Sequence, residues 1–293
     1  MRPALRTAGL TAVSMLLFAG NSLLCRAALE AGPHGPRMDP GSFTAVRIGA
    51  GALVLLPALL RSSGARTPSG REVRRGAGRA ALAGALLLGY ALAFSASYRS
   101  VPTGAGALLL FGSVQLTMLV AARLEGERLG PRRAVGALVA LAGLVALLAP
   151  SREVLGQVDP AGAALMALAG AAWGGYTLLG RGESDPTRAT ARNFAAAVPA
   201  ALAATLLWDA RVTPTGLALA GASGALCSGA GYALWYAALR GHTAVTAALS
   251  QLTVPVVAGL LGLAFLQEPL TLRWAAASSL VLVGVALGLR RKR

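Results

Sequence analysis

Along this chain, apolar stretches about 18 to 25 residues long alternate with short polar segments that hold nearly all the charge. Ten such stretches are counted: 8–29, 41–60, 80–98, 101–122, 132–149, 160–180, 188–208, 215–238, 243–266 and 272–289. A helix of that length crosses ~30 Å of hydrocarbon. Gly, Ala and Leu dominate the stretches, and the alternating polar positions of a transmembrane strand are few. The pattern predicts an all-α membrane protein with ten transmembrane helices. The first stretch follows Arg2 and Arg6, but it outruns a secretory-signal core and ends without a small-x-small cleavage site. It is expected to remain as a span.

The stretches repeat. Sliding 124–150 forward by 141 positions sets Glu127 on Glu268, Leu129 on Leu270, Arg132 on Arg273 and Gly143 on Gly284. Arg99 falls on Arg240 at the same offset. FAGNSLLCR (18–26) aligns with WGGYTLLGR (173–181), and DPGSFTAVR (39–47) resembles DPTRATAR (185–192). Matches at Glu, Arg and Gly carry weight in a chain so rich in Ala and Leu. The chain therefore divides into a five-helix unit at 1–150 and a second at 151–293. A unit with an odd number of crossings begins its second copy on the other side of the membrane. The expected architecture is two inverted five-helix repeats around a central cavity, an arrangement common to secondary transporters.

Composition agrees with this reading: 55% of the 293 residues are hydrophobic, 13% are charged and mean hydropathy is +0.63. The net charge of +16 first suggests nucleic acid. Its distribution points elsewhere. With both termini on one side, 19 basic residues gather there, six lie on the other, and Arg47 and Arg192 stay within spans. That asymmetry is the positive-inside pattern, which places both termini in the cytoplasm. No nucleic-acid partner is expected.

GERLGPRR after the fourth stretch and QEPLTLR after the ninth each precede a Gly-containing last helix. With the doubled five-helix pattern, they make the chain resemble the EamA-type drug/metabolite transporter superfamily over essentially its whole length. Within it, the chain is similar to the YddG-type aromatic amino acid exporters. The resemblance implies a multi-pass protein of the bacterial inner membrane, functioning as a monomer, with spans five and ten peripheral and the other eight around the cavity. It implies export of amino acids or similar metabolites by alternating access. A nucleobase-like compound or a cationic drug as solute, import or exchange, and a non-transporting membrane scaffold are the competing readings.

The chemistry in the spans is spare. All eleven Asp and Glu residues lie in loops or at helix ends, the two histidines fall on opposite faces, and no P-loop is present. An enzyme, a metal site, a cofactor and an ATP-hydrolysing subunit are not expected. Without a carboxylate inside a span, a facilitative carrier or exchanger fits better than a proton antiporter. Substrate contacts are assigned to Tyr90, Phe94, Trp173, Tyr176 and Tyr232, an aromatic lining suited to amphipathic or aromatic solutes. Asn21, Gln115 and Gln251 add uncharged hydrogen-bonding groups, although each can equally tie helix to helix. Arg47 and Arg192 are candidates to face the cavity, where each would attract a substrate carboxylate or pair with a loop Glu, with snorkelling to the interface as the plain alternative; Arg47 is assigned to the substrate site. Glu127 and Glu268 are read as turn-fixing residues, paired with Arg132 and Arg273. Cys25 and Cys227 are read as small packing residues.

Overall fold

The computed structural model describes residues 3–30, 35–60, 70–126, 130–148, 159–181, 183, 185–268 and 272–289. Helices account for nearly all of them: α1 (Pro3–Leu29), α2 (Pro40–Leu60), α3 (Gly70–Ser97), α4 (Thr103–Leu124), α5 (Pro131–Leu148), α6 (Pro160–Gly180), α7 (Pro186–Ala203), α8 (Pro214–Ala222), α9 (Gly231–Leu239), α10 (Ala244–Gln251), α11 (Val254–Leu266) and α12 (Leu272–Leu289). A single turn of tighter helix, Ala204–Leu207, extends α7. A π-helical segment, Ser223–Ala230, joins α8 to α9 as one continuous span.

Local chemistry sets several starts. Asp39, Asp159, Asp185 and Thr213 each precede a Pro that opens a helix. Each side chain accepts from a backbone N–H of the first turn: Ser42 at 2.8 Å, Gly162 at 2.9 Å, Arg188 at 3.0 Å and Gly216 at 3.1 Å. The cap satisfies a donor the helix cannot, and Pro costs nothing where the N–H would be unpaired anyway.

Among the described residues, eight helices are long and apolar enough to cross a membrane. The stretches 132–149 and 272–289 correspond to α5 and α12, whose described apolar portions are shorter, Ala134–Gly143 and Trp274–Leu287. These two pack on each other and make a separate small core with Ala122, Leu249 and Leu252. Their contact is close: a Cβ on Gly143 would lie 2.8 Å from Ala277 O, and one on Gly284 2.5 Å from Ala140 N. The outside of the bundle is apolar, with Leu53, Leu124, Leu206 and Leu272 each more than 70% exposed. Such a surface suits acyl chains rather than water.

The main core lies between the halves. α6 packs on α3 and α4, α7 on α2 and α3, α9 on α1, α11 on α1 and α4, and the π segment on α2 and α1. The Gly170-x-x-x-Gly174 pair brings α6 against α4, since a Cβ on Gly170 would sit 2.3 Å from Leu110 O. On the face holding the end of α1, Met38 and Val212 form an isolated antiparallel bridge between the α1–α2 and α7–α8 connections.

Candidate functional site

At the centre of this interface is Arg47, on the eighth residue of α2 and wholly buried. Its Nε donates to Ser228 Oγ at 2.8 Å, and its Nη2 donates to Tyr90 OH at 2.9 Å and Tyr232 OH at 2.7 Å. The guanidinium carbon lies 5.0 Å from the Tyr90 ring centre and 5.2 Å from that of Phe94. Nη1 has no hydrogen-bond partner. Ser228 and Tyr232 come from the second half, Tyr90 and Phe94 from the first. Gly224 permits the approach, because a Cβ there would lie 2.3 Å from Arg47 O. A π-helical stretch at such a point is typical of functional positions.

Burying an unpaired cation costs several kcal/mol even after relaxation. Hydrogen bonds to a charged group return roughly 1.5–3 kcal/mol each, and a desolvated cation–π contact about 2. Three neutral oxygens and two rings thus roughly offset the burial of Arg47. The arrangement holds the charge in place and leaves one face of it unanswered.

Aromatic rings surround this cation. Trp173 lies 4.5 Å from Tyr232, 5.2 Å from Tyr90, 5.4 Å from Phe18 and 5.5 Å from Tyr176, centre to centre. Its indole Nε1 donates to Gln251 Oε1 at 2.8 Å, and Gln251 Nε2 reaches Met118 Sδ at 3.4 Å. Asn21 accepts from Ser223 Oγ at 2.6 Å and donates to Tyr90 OH at 3.3 Å. Tyr176 OH accepts from Asn193 Nδ2 at 3.4 Å.

The structure therefore brings together Asn21, Arg47, Tyr90, Phe94, Trp173, Tyr176, Tyr232 and Gln251. Gln115 is different: it is fully buried, but neither of its amide atoms has a hydrogen-bond partner. Arg47 does not snorkel. Phe18, Phe194 and Ser228 belong to the cluster but do not announce themselves in the sequence. Phe194 lies 5.6 Å from Tyr232, and Phe18 packs edge-on against both Trp173 and Tyr232. The alignment of Phe18 with Trp173 is the one signal that points to the former.

The two faces of the bundle differ. On the face holding the starts of α1 and α3, a cavity of about 290 Å³ opens between α3, α6 and α7, lined by Arg79, Tyr176, Glu183, Arg192, Asn193 and Tyr236. Glu183 pairs there with Arg79 at 3.5 Å and Arg192 at 3.7 Å. Arg192 is half exposed, so its likeness to Arg47 in sequence does not extend to burial. Tyr176 belongs to both the cavity wall and the aromatic cluster, and connects the two.

The opposite face has a cavity of about 380 Å³ lined by Met38, Asp39, Arg99, Trp208 and Arg211, none of them in the cluster, and beside it a polar network covers the cluster. Glu268 accepts from Thr103 N at 3.1 Å and Thr103 Oγ1 at 3.1 Å, and its carboxylate meets Arg26 Nε at 3.5 Å. Arg26 also donates to Tyr98 O at 3.1 Å and to Glu30 at 2.8 Å. Tyr98, fully buried, stacks edge-on against Phe94 at 4.7 Å. Glu268 thus has partners in the other half, Arg26 and Thr103. A carboxylate at the end of α11 answers the unpaired N–H groups opening α4. Glu127 lies outside the described residues, as does the side chain of Arg273. Cys25 and Cys227 are buried free thiols.

Comparison with known proteins settles the family. The EamA-like transporter family model matches twice, over residues 6–149 and 160–290. The chain belongs to the EamA-like transporter family. An uncharacterized protein of Pseudomonas aeruginosa is 49% identical over 291 residues, covering 97% of this chain and 95% of its own. An uncharacterized transporter of Bacillus subtilis is 30% identical over 200 residues, 65% of this chain and 66% of that one. A solved crystal structure of a protein superposes with a TM-score of 0.70 over 97% of this chain and 96% of that one, at 22% identity, and so shares the fold. As an EamA-family member the protein is a multi-pass membrane transporter of small solutes, acting within a lipid bilayer.

Proposed function

We propose that the protein is a secondary transporter of the bacterial inner membrane that exports amino acids, aromatic or otherwise neutral, and related metabolites by alternating access. The substrate site is the cluster of Asn21, Arg47, Tyr90, Phe94, Trp173, Tyr176, Tyr232 and Gln251, with Gln115 as a further buried polar group on α4. The observation that carries this reading is the position of the cluster. Its side chains come from both halves, Tyr176 is shared with the wall of a cavity on one face, and the network of Arg26, Tyr98 and Glu268 lies beside it toward the other. A buried central site covered differently toward the two faces suits alternating access.

The packing supports inverted repeats. Exchanging each span of one half for its counterpart turns the α3–α6 contact into that of the eighth span with α1, and α4–α6 into α11–α1; α2–α7, α4–α11 and α5–α12 map onto themselves, and all these contacts are present. Two separate matches to one family model agree with a duplication. If the more basic face is cytoplasmic, the cavity at Arg79 and Arg192 opens to the cytoplasm, where an exporter takes on its substrate.

The test is uptake and counterflow of labelled amino acids in liposomes carrying the purified protein. Saturable movement of aromatic or neutral amino acids above protein-free liposomes is expected. Movement of none of them, alongside saturable movement of a nucleobase or a cationic drug, would overturn the substrate assignment.

A further inference from the structure

We infer that Arg47 binds the carboxylate of the transported solute, and that the preferred solute is a net monoanion, an aromatic carboxylate, ahead of a zwitterionic amino acid. This deepens the transport reading above and rests on it. The first observation is the unpartnered Nη1 on a guanidinium with no exposed surface. The second is the neutrality of everything that touches it: Tyr90, Tyr232, Ser228 and the Phe94 ring. The ion pairs formed by described carboxylates lie at the two faces, with Arg26, Arg79, Arg181 and Arg192, and Arg47 takes part in none of them.

Arg47 therefore presents a fixed positive charge between the halves with no fixed counter-charge. A guanidinium answers a carboxylate better than any other common group, because its donors match two oxygens at once. The tyrosine hydroxyls that now accept from Nη2 keep their own protons. They are free to turn and donate to a carboxylate that takes their place on the cation. The rings of Tyr90, Trp173 and Tyr232 then meet the aromatic body of the same molecule.

Among the described residues, no carboxylate stands in the cluster to answer an ammonium group as Arg47 answers a carboxylate. Its rings and amide oxygens are neutral, with Asn21 Oδ1 accepting from Ser223 and Gln251 Oε1 from Trp173. An ammonium entering here loses its hydration against neutral groups already engaged. The carboxylate is the handle by which the solute is held, and an added ammonium weakens binding.

The experiment compares four solutes of one shape in proteoliposomes at about pH 7.5: 3-phenylpropionate, phenylalanine, 3-phenylpropionamide and 2-phenylethylamine. Transport is read by counterflow, and binding by the intrinsic tryptophan fluorescence of the same protein. The expected order is acid, then zwitterion, with amide and amine weakest. In Arg47→Gln the acid falls by about tenfold or more, as removing hydrogen bonds to a charge predicts, while the amide is little changed; Arg47→Lys keeps part of the preference. If wild-type protein carries the amide or the amine as well as the acid, the transport reading stands and the role of Arg47 does not. Equal losses for all four solutes in Arg47→Gln would make Arg47 a structural tie and overturn the inference. The wild-type comparison decides the matter even if Arg47→Gln fails to fold. Neither transport nor binding of any of the four in wild-type protein would remove the transport reading and this inference together.

Discussion

Phe18 and Trp173 hold the same place in the two halves of the sequence and meet edge to face at 5.4 Å. In an inverted duplication, residues that are each other's counterparts touch only at the axis relating the halves. The contact thus marks where that axis would run, and the aromatic cluster lies around it. The two positions have diverged chemically. Trp173 carries a donor to Gln251, whereas Phe18 carries none.

The closed face depends on Glu268. Replacing it by Gln removes the charge facing Arg26 while leaving an oxygen for Thr103. Hydrogen bonds to charged groups are worth about 1.5–3 kcal/mol, so opening of that face should become about tenfold more frequent or greater. Ser22→Cys, at a fully buried position near the end of α1, reports it in a background lacking Cys25 and Cys227. A water-soluble thiol reagent should label this cysteine faster when Glu268→Gln is present. Equal rates would mean that the ion pair does not hold the face shut.

Orientation has its own test. Gly76 and Asp209 are exposed and lie on opposite faces. In intact cells, with the native cysteines removed, Asp209→Cys should react with a membrane-impermeant thiol reagent and Gly76→Cys should not. The reverse result would place the termini outside and turn the proposed exporter around.

His242 offers a pH test. It contacts Thr11 Oγ1 at 2.9 Å, and burial lowers its pKa from the ordinary 6.5. A base whose pKa falls on folding is held neutral, so stability is whole above the ordinary value and declines as pH drops through it. Between about pH 7 and pH 5, the melting temperature of the wild type should therefore fall more than that of His242→Gln. Parallel melting curves for the two proteins would show that His242 titrates freely in the folded state.

Much of this was legible in the sequence. Long apolar runs marked where helices form, because a membrane leaves the backbone few alternatives. The doubled Glu and Arg motifs point to a division into two halves, which the proposed function carries forward. Arg47, Tyr90, Trp173 and Tyr232 stood out as polar or amphipathic groups deep in apolar spans, and these four are in mutual contact. What stayed hidden depended on which helix faces which. Phe194 and Ser228 are ordinary residues of apolar helices until α2 and the π segment come together. That Arg26 and Thr103 reach Glu268 across the bundle depends on which helices face each other, which sequence distance does not show. Gln115 drew notice for its polarity but stands apart from the hydrogen-bonded cluster.

The central claim is that solute crosses the membrane through the aromatic cluster between the halves, and Trp173 tests it most directly. Counterflow of a labelled aromatic solute should be measured in proteoliposomes for wild type and Trp173→Ala, with melting temperatures recorded on the same preparations. Ring contacts contribute about 0.5 to 1.5 kcal/mol beyond area burial, so with the lost contact area apparent affinity should fall several-fold to more than tenfold, in protein that remains folded. Unchanged affinity in folded Trp173→Ala would contradict the account.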